Sequence, residues 1–213
     1  MSFRFTASRI LRDVRDTDED IRLTQDRYEK NKKVPDLPRV FHDVSKAFNA
    51  VSSALQAIQL YLSKGEPKAE EDVDQDELQN EKDAAIKSRN SASHLAEVFE
   101  AVFKADDGNR AIEYRMRAGK DRQVEVLMMD IIEATLVLAK PPAASEKQIA
   151  DLQELHRAIS QIQPSQADTN GGGIQNTGSG TQNIHTGRGH QNVNTGKGQQ
   201  FIGTFATPPY RSS

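Results

Sequence analysis

The stretch "LPRVFHDVSKAFNAVSSALQAIQLYLSKG", Leu37 to Gly65, decides the fold. Leu37, Val40, Phe41, Val44, Phe48, Val51, Leu55, Ile58 and Leu62 recur at steps of three or four, which draws one continuous apolar stripe along a helix. The spacing predicts a single amphipathic helix that Gly65 stops. An apolar stripe must be covered by other elements, and the rest of the N-terminal part supplies them.

C-terminal to it, Ile86, Leu95, Phe99, Val102 and Phe103 form a second stripe. Its helix is expected to begin within the acidic "EEDVDQDELQNEKD" and to end at the turn "DDGN", Asp106 to Asn109. A short helix, "RAIEYRMRA", runs to the break at Gly119. Beyond it, "DRQVEVLMMDIIEATLVLAK" carries Val124, Leu127, Met128, Ile131 and Leu138 until Pro141 and Pro142 end the helix. "SEKQIADLQELHRAISQI" then opens with a capping box, Ser145 to Gln148, and carries Ile149, Leu152, Leu155 and Ile159. At the N-terminus, Ile10, Leu11, Val14, Ile21 and Tyr28 recur among many charges and mark a further helix. The fold class expected is all-α: an antiparallel bundle of five or six helices over residues 1–163.

Composition changes abruptly near Pro164. All 13 leucines precede it, whereas residues 164–213 hold 10 of the 13 glycines, one acid (Asp168) and three basic residues (Arg188, Lys197, Arg211). Residues 164–213 are therefore expected to be a Gly/Asn/Gln-rich tail, disordered in the monomer and able to form cross-β structure. Net charge of -3 argues against general nucleic-acid binding. No run of about 18 apolar residues exists to span a membrane, and "MSFRFTASRILRDVR" lacks a secretory h-region. The absence of cysteine removes disulfide and thiolate chemistry and suits a reducing, cytoplasmic setting.

Candidate chemistry is sparse. Asp72, Asp74, Asp76 and Asp83 imitate the first, third, fifth and twelfth positions of a calcium loop, yet Glu77 occupies the position that needs glycine, so a solvated helix start is expected. His42, His94 and His156 stand singly, without a second ligand at metal spacing. "TGKG", residues 195–198, falls short of a phosphate loop. No nucleophile, base and orienting acid stand out, so neither an enzyme nor a cofactor is expected. Arg4, Arg9, Arg12 and Arg15 interleave with Met1, Phe3, Phe5, Ile10, Leu11 and Val14, which admits contact with an anionic membrane surface; a bundle helix with a basic outer face is the reading preferred.

The tail repeats one nine-residue phrase, Thr-Gly-x-Gly-x-Gln-[Asn/Phe]-[Ile/Val]-x, at 177–185, 186–194 and 195–203, after a degenerate "GGGIQN". Calcium-binding nonapeptide solenoids need aspartate where Gln182, Gln191 and Gln200 stand, so calcium is not what would order it. Amide side chains can instead form ladders with their own copies in stacked strands. The assembly motif is thus Gly178, Gly180, Gln182, Asn183 and Ile184; Gly187, Gly189, Gln191, Asn192 and Val193; and Gly196, Gly198, Gln200, Phe201, Ile202 and Gly203. Repetition makes the tail complementary to itself, whereas a plain linker has no reason to keep Gln and a β-branched or aromatic residue in register.

This tail resembles the amyloid signalling motifs of filamentous fungi, of the sigma or pseudo-palindromic kind found beside NACHT and other STAND receptors. "QQFIG", Gln199 to Gly203, is similar to the Gln-centred core of the RHIM motif. The segments "LPRVFHDVSKAFNAVSSALQ", "HLAEVFEAVF" and "IEYRMRAGKDRQVEVLMMDIIEATLVLA" are similar to the SesA-type domain of fungal STAND proteins, over about residues 30–140. The pairing implies an incompatibility or regulated cell-death pathway, in which a NACHT/STAND receptor's motif templates the tail and the helical domain acts as effector, moving from the cytoplasm to the plasma membrane on activation. The family's first helix is usually more apolar than "RILRDVRDTDEDIR", which weighs against membrane insertion. The alternative is an adaptor whose bundle grips a partner while the tail serves as a tether.

A peptide of residues 170–205 is expected to bind thioflavin at physiological salt and to diffract at about 4.7 Å and about 10 Å. A peptide that stays monomeric at high concentration reduces the tail to a linker.

Overall fold

The computed structural model describes residues 3–64, 74–119 and 122–163, with side chains from residue 7 onward. Seven helices follow in order: α1 (Phe3–Asn31), α2 (Arg39–Ser45), α3 (Phe48–Lys64), α4 (Gln75–Lys104), α5 (Arg110–Ala118), α6 (Val124–Leu138) and α7 (Glu146–Ser160). No strand occurs among the described residues. The all-α bundle is therefore present, and all six expected helices are found, with one of them divided.

The division corrects the expectation of one helix from Leu37 to Leu62. Ala47 N–H bonds back three residues to Val44 O (3.0 Å), and the four-residue pattern resumes with Val51 N–H to Ala47 O (3.0 Å). Ser45 supplies a physical reason: its hydroxyl donates to His42 O at 2.9 Å, competing for the carbonyl that the next helical amide would use. Lys46 keeps right-handed angles (φ -62°, ψ -23°), so the chain tightens locally. Val44, Ala47, Phe48 and Val51 all remain buried, and the stripe survives the break.

Polar contacts reveal the helix directions. Gln25 donates to Asn49 (2.8 Å) and Ser52 to Asp18 (2.6 Å), so α1 and α3 are antiparallel. Glu77 pairs with Lys140 (2.7 Å) and Lys87 with Asp130 (2.8 Å), so α4 and α6 are antiparallel too. Asp13 with Arg89 (2.8 Å) and Arg27 with Glu100 (3.1 Å) show that α1 and α4 run parallel. A strictly antiparallel bundle is thus refined: α3 returns the chain between α1 and α4, and these two then lie side by side in the same direction.

Small side chains make that contact close. The N-terminal half of α4 buries Ala84, Ala85, Ser88, Ser91 and Ala92, whereas its C-terminal half buries Leu95, Val98, Phe99 and Val102. Around Phe99 an aromatic cluster fills the wider end. Its ring centroid lies 4.5 Å from Phe41 and 5.7 Å from both Phe48 and Phe103, and Phe41 meets Tyr114 edge-on at 5.2 Å. Tilted and edge-to-face rings add stabilisation beyond their buried area.

Helix α1 explains its own faint sequence signal. It buries Ile10, Val14, Ile21 and Tyr28, but also Asp13, Thr17, Asp18 and Thr24. Thr17 and Thr24 donate to the carbonyls of Asp13 (2.8 Å) and Asp20 (2.7 Å). Ile10 and Val14 are core residues, and Arg9, Arg12 and Arg15 are exposed, which is the basic-faced bundle helix. Met1 and the side chains of Phe3, Arg4 and Phe5 lie outside the described residues.

Asp13 is 1% exposed and takes its ion pairs through Oδ1, with Arg89 at 2.8 Å and Arg12 at 3.8 Å, while Oδ2 has no hydrogen-bond partner. Removing Arg89 strands most of a buried charge. Arg89→Met is therefore expected to destabilise the bundle by about 2 kcal/mol, less than for a fully buried pair because the arginine is partly exposed. Adding Asp13→Asn should recover most of that loss in urea unfolding; additive losses in the double variant would contradict the coupling.

Candidate functional site

The sixteen assembly-motif residues between Gly178 and Gly203 lie outside the described residues, as do the expected tail 164–213, Gly65 and Asp72. What the structure shows is how the other candidates are used. Asp74 is the N-cap of α4: its carboxylate accepts from Asp76 N–H (2.9 Å) and Glu77 N–H (3.4 Å). Asp76 and Glu77 follow in the first turn, where negative charge meets the positive end of the helix dipole. Asp83 accepts from the Gln79 amide at 2.8 Å. Among the described residues no three carboxylate or imidazole groups converge as metal ligands would.

The histidines are separate. His42 Nδ1 meets the Tyr28 hydroxyl at 2.8 Å, with the two rings edge-on at 5.8 Å, and so ties α2 to α1. His156 Nε2 lies 3.2 Å from Glu133, joining α7 to α6. Burial pushes the Glu133 carboxyl up, but hydrogen bonds and charge from His156 and Lys87 more than offset it and hold the group below its ordinary value. Lys87 is raised, chiefly by its hydrogen bond to Asp130, and Lys140 by its hydrogen bond to Glu77. These contacts fasten helices to one another.

Opposite in character is the α1 edge. Asp20 is raised by burial first and then by Glu19, Asp16 and Glu97, which outweigh Arg27. Three carboxylates, Glu19, Asp16 and Glu97, therefore lie close enough to Asp20 to act on it.

A second polar cluster joins two loops. Asp36 sits in the left-handed region at φ 63°, tolerated by a short polar side chain, and its Oδ2 accepts from Gly108 N–H at 3.1 Å. Gly108 itself has φ 83°. Arg110, 6% exposed, donates to Pro35 O (2.9 Å) and pairs with Asp107 (2.8 Å). The α1–α2 loop is thereby clasped to the α4–α5 turn, which sets α2 against α5. No sequence pattern announced this clasp, because its partners are more than 70 residues apart.

Between those elements lies a cleft of about 530 Å³. Pro38, Arg39, Val40 and Asp43 form one wall, Ala111, Tyr114 and Arg115 another, and Ile162 with Gln163, just past α7, the third. Its lining combines apolar side chains with the charged Arg39, Asp43 and Arg115.

Seven helices without a strand among the described residues define an all-α domain. The chain belongs to the SesA family, described as the N-terminal domain on NACHT NTPases and P-loop NTPases, whose model matches residues 14–138. That match runs from the middle of α1 to the last residue of α6, so it includes a helix that the resemblance starting near residue 30 left out. A second model, the sigma domain on NACHT NTPases, matches residues 171–210 and contains all three repeats. Both matched families are thus described as domains found on NACHT NTPases. No curated protein and no solved structure matches the chain.

Asp74→Ala is expected to cost about 1 kcal/mol through loss of the cap. Millimolar calcium should leave the melting temperature of the parent protein unchanged, and a rise on adding calcium would reinstate the metal reading of the acidic segment.

Proposed function

We propose that this protein is a non-catalytic signal transducer, in which the tail polymerises on a matching motif of a NACHT/STAND receptor and the helical domain then acts as effector in fungal incompatibility or regulated cell death. The observation that carries this is the presence, on one chain, of a SesA-family bundle and a sigma-family tail whose repeats keep Gln182, Gln191 and Gln200 in register. No G-x-x-x-x-G-K-[ST] occurs in the 213 residues, so nucleotide sensing is assigned to the receptor. Templating is cooperative by nature: a single copy buries too little apolar surface to offset the entropy of ordering, and a stack of copies shares that surface. The working location is the cytoplasm, with passage to the plasma membrane on activation.

The cleft between α2 and α5 favours the second reading, an adaptor that grips a partner through its bundle. The two separate in cells. Replacing Gln182, Gln191 and Gln200 with proline is expected to abolish foci and toxicity, because proline removes a ladder donor and locks φ. Unchanged foci would sink the templating mechanism. Deletion of 164–213 with partner binding and activity intact would favour the adaptor.

A further inference from the structure

We infer that Ser160, the last residue of α7, is a phosphorylation site for an arginine-directed protein kinase, and that its phosphate loosens the end of the helix. Among all serines and threonines of the 213 residues, Ser160 alone has a lysine or arginine three positions before it, Arg157. Both residues are exposed. On a helix that spacing places them on one face, a turn apart, and a kinase with a carboxylate beside its catalytic centre can hold the guanidinium while the hydroxyl is presented. Neither matched family region includes this residue, since one ends at 138 and the other begins at 171.

Position in the fold decides which hydroxyls a kinase reaches. A substrate segment must be drawn out to enter the enzyme's cleft, and helix ends open at far lower free energy than helix centres. Thr17, Thr24 and Thr135 are fully buried, and each donates to a carbonyl four residues back. Ser93 is exposed but stands in the body of the 30-residue α4. Ser145 is committed to the capping box of α7. Ser63, exposed near the end of α3, matches Ser160 in reach but has Leu60 where Ser160 has Arg157, so it separates reach from recognition. Ser160 closes α7, and beyond it Ile162 N–H bonds back to Ile159 O at 2.9 Å.

In the transfer, Ser160 Oγ attacks the γ-phosphorus of ATP. The new O–P bond forms as the bond to the bridging oxygen of ADP breaks, and the hydroxyl proton passes to the kinase's carboxylate base. The Oγ–H that donates to Arg157 O at 2.9 Å is thereby lost. About two negative charges arrive at the negative end of the α7 dipole. Arg157 can pair with them, but an exposed pair at this spacing contributes less than the end charge and the lost donor take away. Ile159, buried, and Ile162, which packs on the core and lines the cleft, are then held less firmly.

The transfer does not depend on tail assembly. It is tested on the full chain with Mg-ATP and an arginine-directed kinase of the calmodulin-dependent type, a peptide of residues 154–163 serving as positive control for the enzyme. Tandem mass spectrometry is expected to find phosphate on Ser160 and none on Ser63. Ser160→Ala should remove it, Arg157→Glu should slow incorporation at least ~10-fold, and Arg157→Lys should restore most of the rate. Both substituted positions are exposed, and unchanged circular dichroism melts verify that the variants fold. In the phosphorylated chain, hydrogen exchange at 159–163 should quicken several-fold and the melting temperature should fall by about 2 °C. Phosphate found elsewhere with Ser160 unmodified overturns the proposal. So does a rate indifferent to Arg157→Glu, or a kinase that labels the peptide and spares the full chain. Slower exchange at 159–163 overturns the loosening and makes the phosphate a clamp held by Arg157.

Discussion

Helix α4 can hold α1 on one side and α6 on the other because its buried face changes size along its length. Alanine and serine at positions 84, 85, 88, 91 and 92 admit a close neighbour, and Leu95, Phe99 and Val102 demand a wider space at the other end. A helix packed against such a face is seated by shape, since interiors are packed at the density of organic crystals and a mismatch in either direction is destabilising. The aromatic group around Phe99 then gathers α2, α3 and α5 at the wide end. Placement of α2 and α5, and so of the cleft between them, follows from that arrangement together with the clasp made by Asp36 and Arg110.

Polar burial runs through the same architecture with a different effect. Asp13 and Asp18 on α1 are buried at 1% and 6% exposure, and each meets one cross-helix partner, Arg89 or Ser52. Such groups contribute little net stability, because desolvating them offsets most of their attraction. They do penalise every register of α1 in which the carboxylates lack those partners. Parallel alignment of α1 and α4 is therefore specified by charge as well as by packing.

The two family matches fall on chemically unlike parts of the chain. A SesA-family domain over 14–138 is built of side chains that satisfy one another, whereas the sigma-matched region over 171–210 contains no acid and no leucine and repeats its amides in register. One part is a folded helical bundle, the other a sequence that repeats itself three times.

How much of this was legible beforehand depends on the range over which each feature is encoded. Helix existence and type came from local periodicity: the stripes of α3, α4, α6 and α7, the Ser145 capping box and the break at Gly119 are written within a few residues of where they act. The tail's repeats were equally plain, since a period needs only its own copies to be seen, and both family resemblances rested on such patterns. The stop in the Leu37–Leu62 stripe was not, because apolar spacing is blind to Ser45 taking a backbone carbonyl. Nor was the weight of α1, since a helix that buries Asp13, Thr17, Asp18 and Thr24 looks like a surface helix until their partners are known. The parallel α1–α4 pair, the loop clasp and the cleft all join residues far apart in the chain. Sequence alone determined which segments are helical and which segment repeats, because hydrogen bonding and periodicity are local; only tertiary structure decided which faces meet and where a surface stays open, because those depend on side-chain volume and charge brought together across the whole bundle.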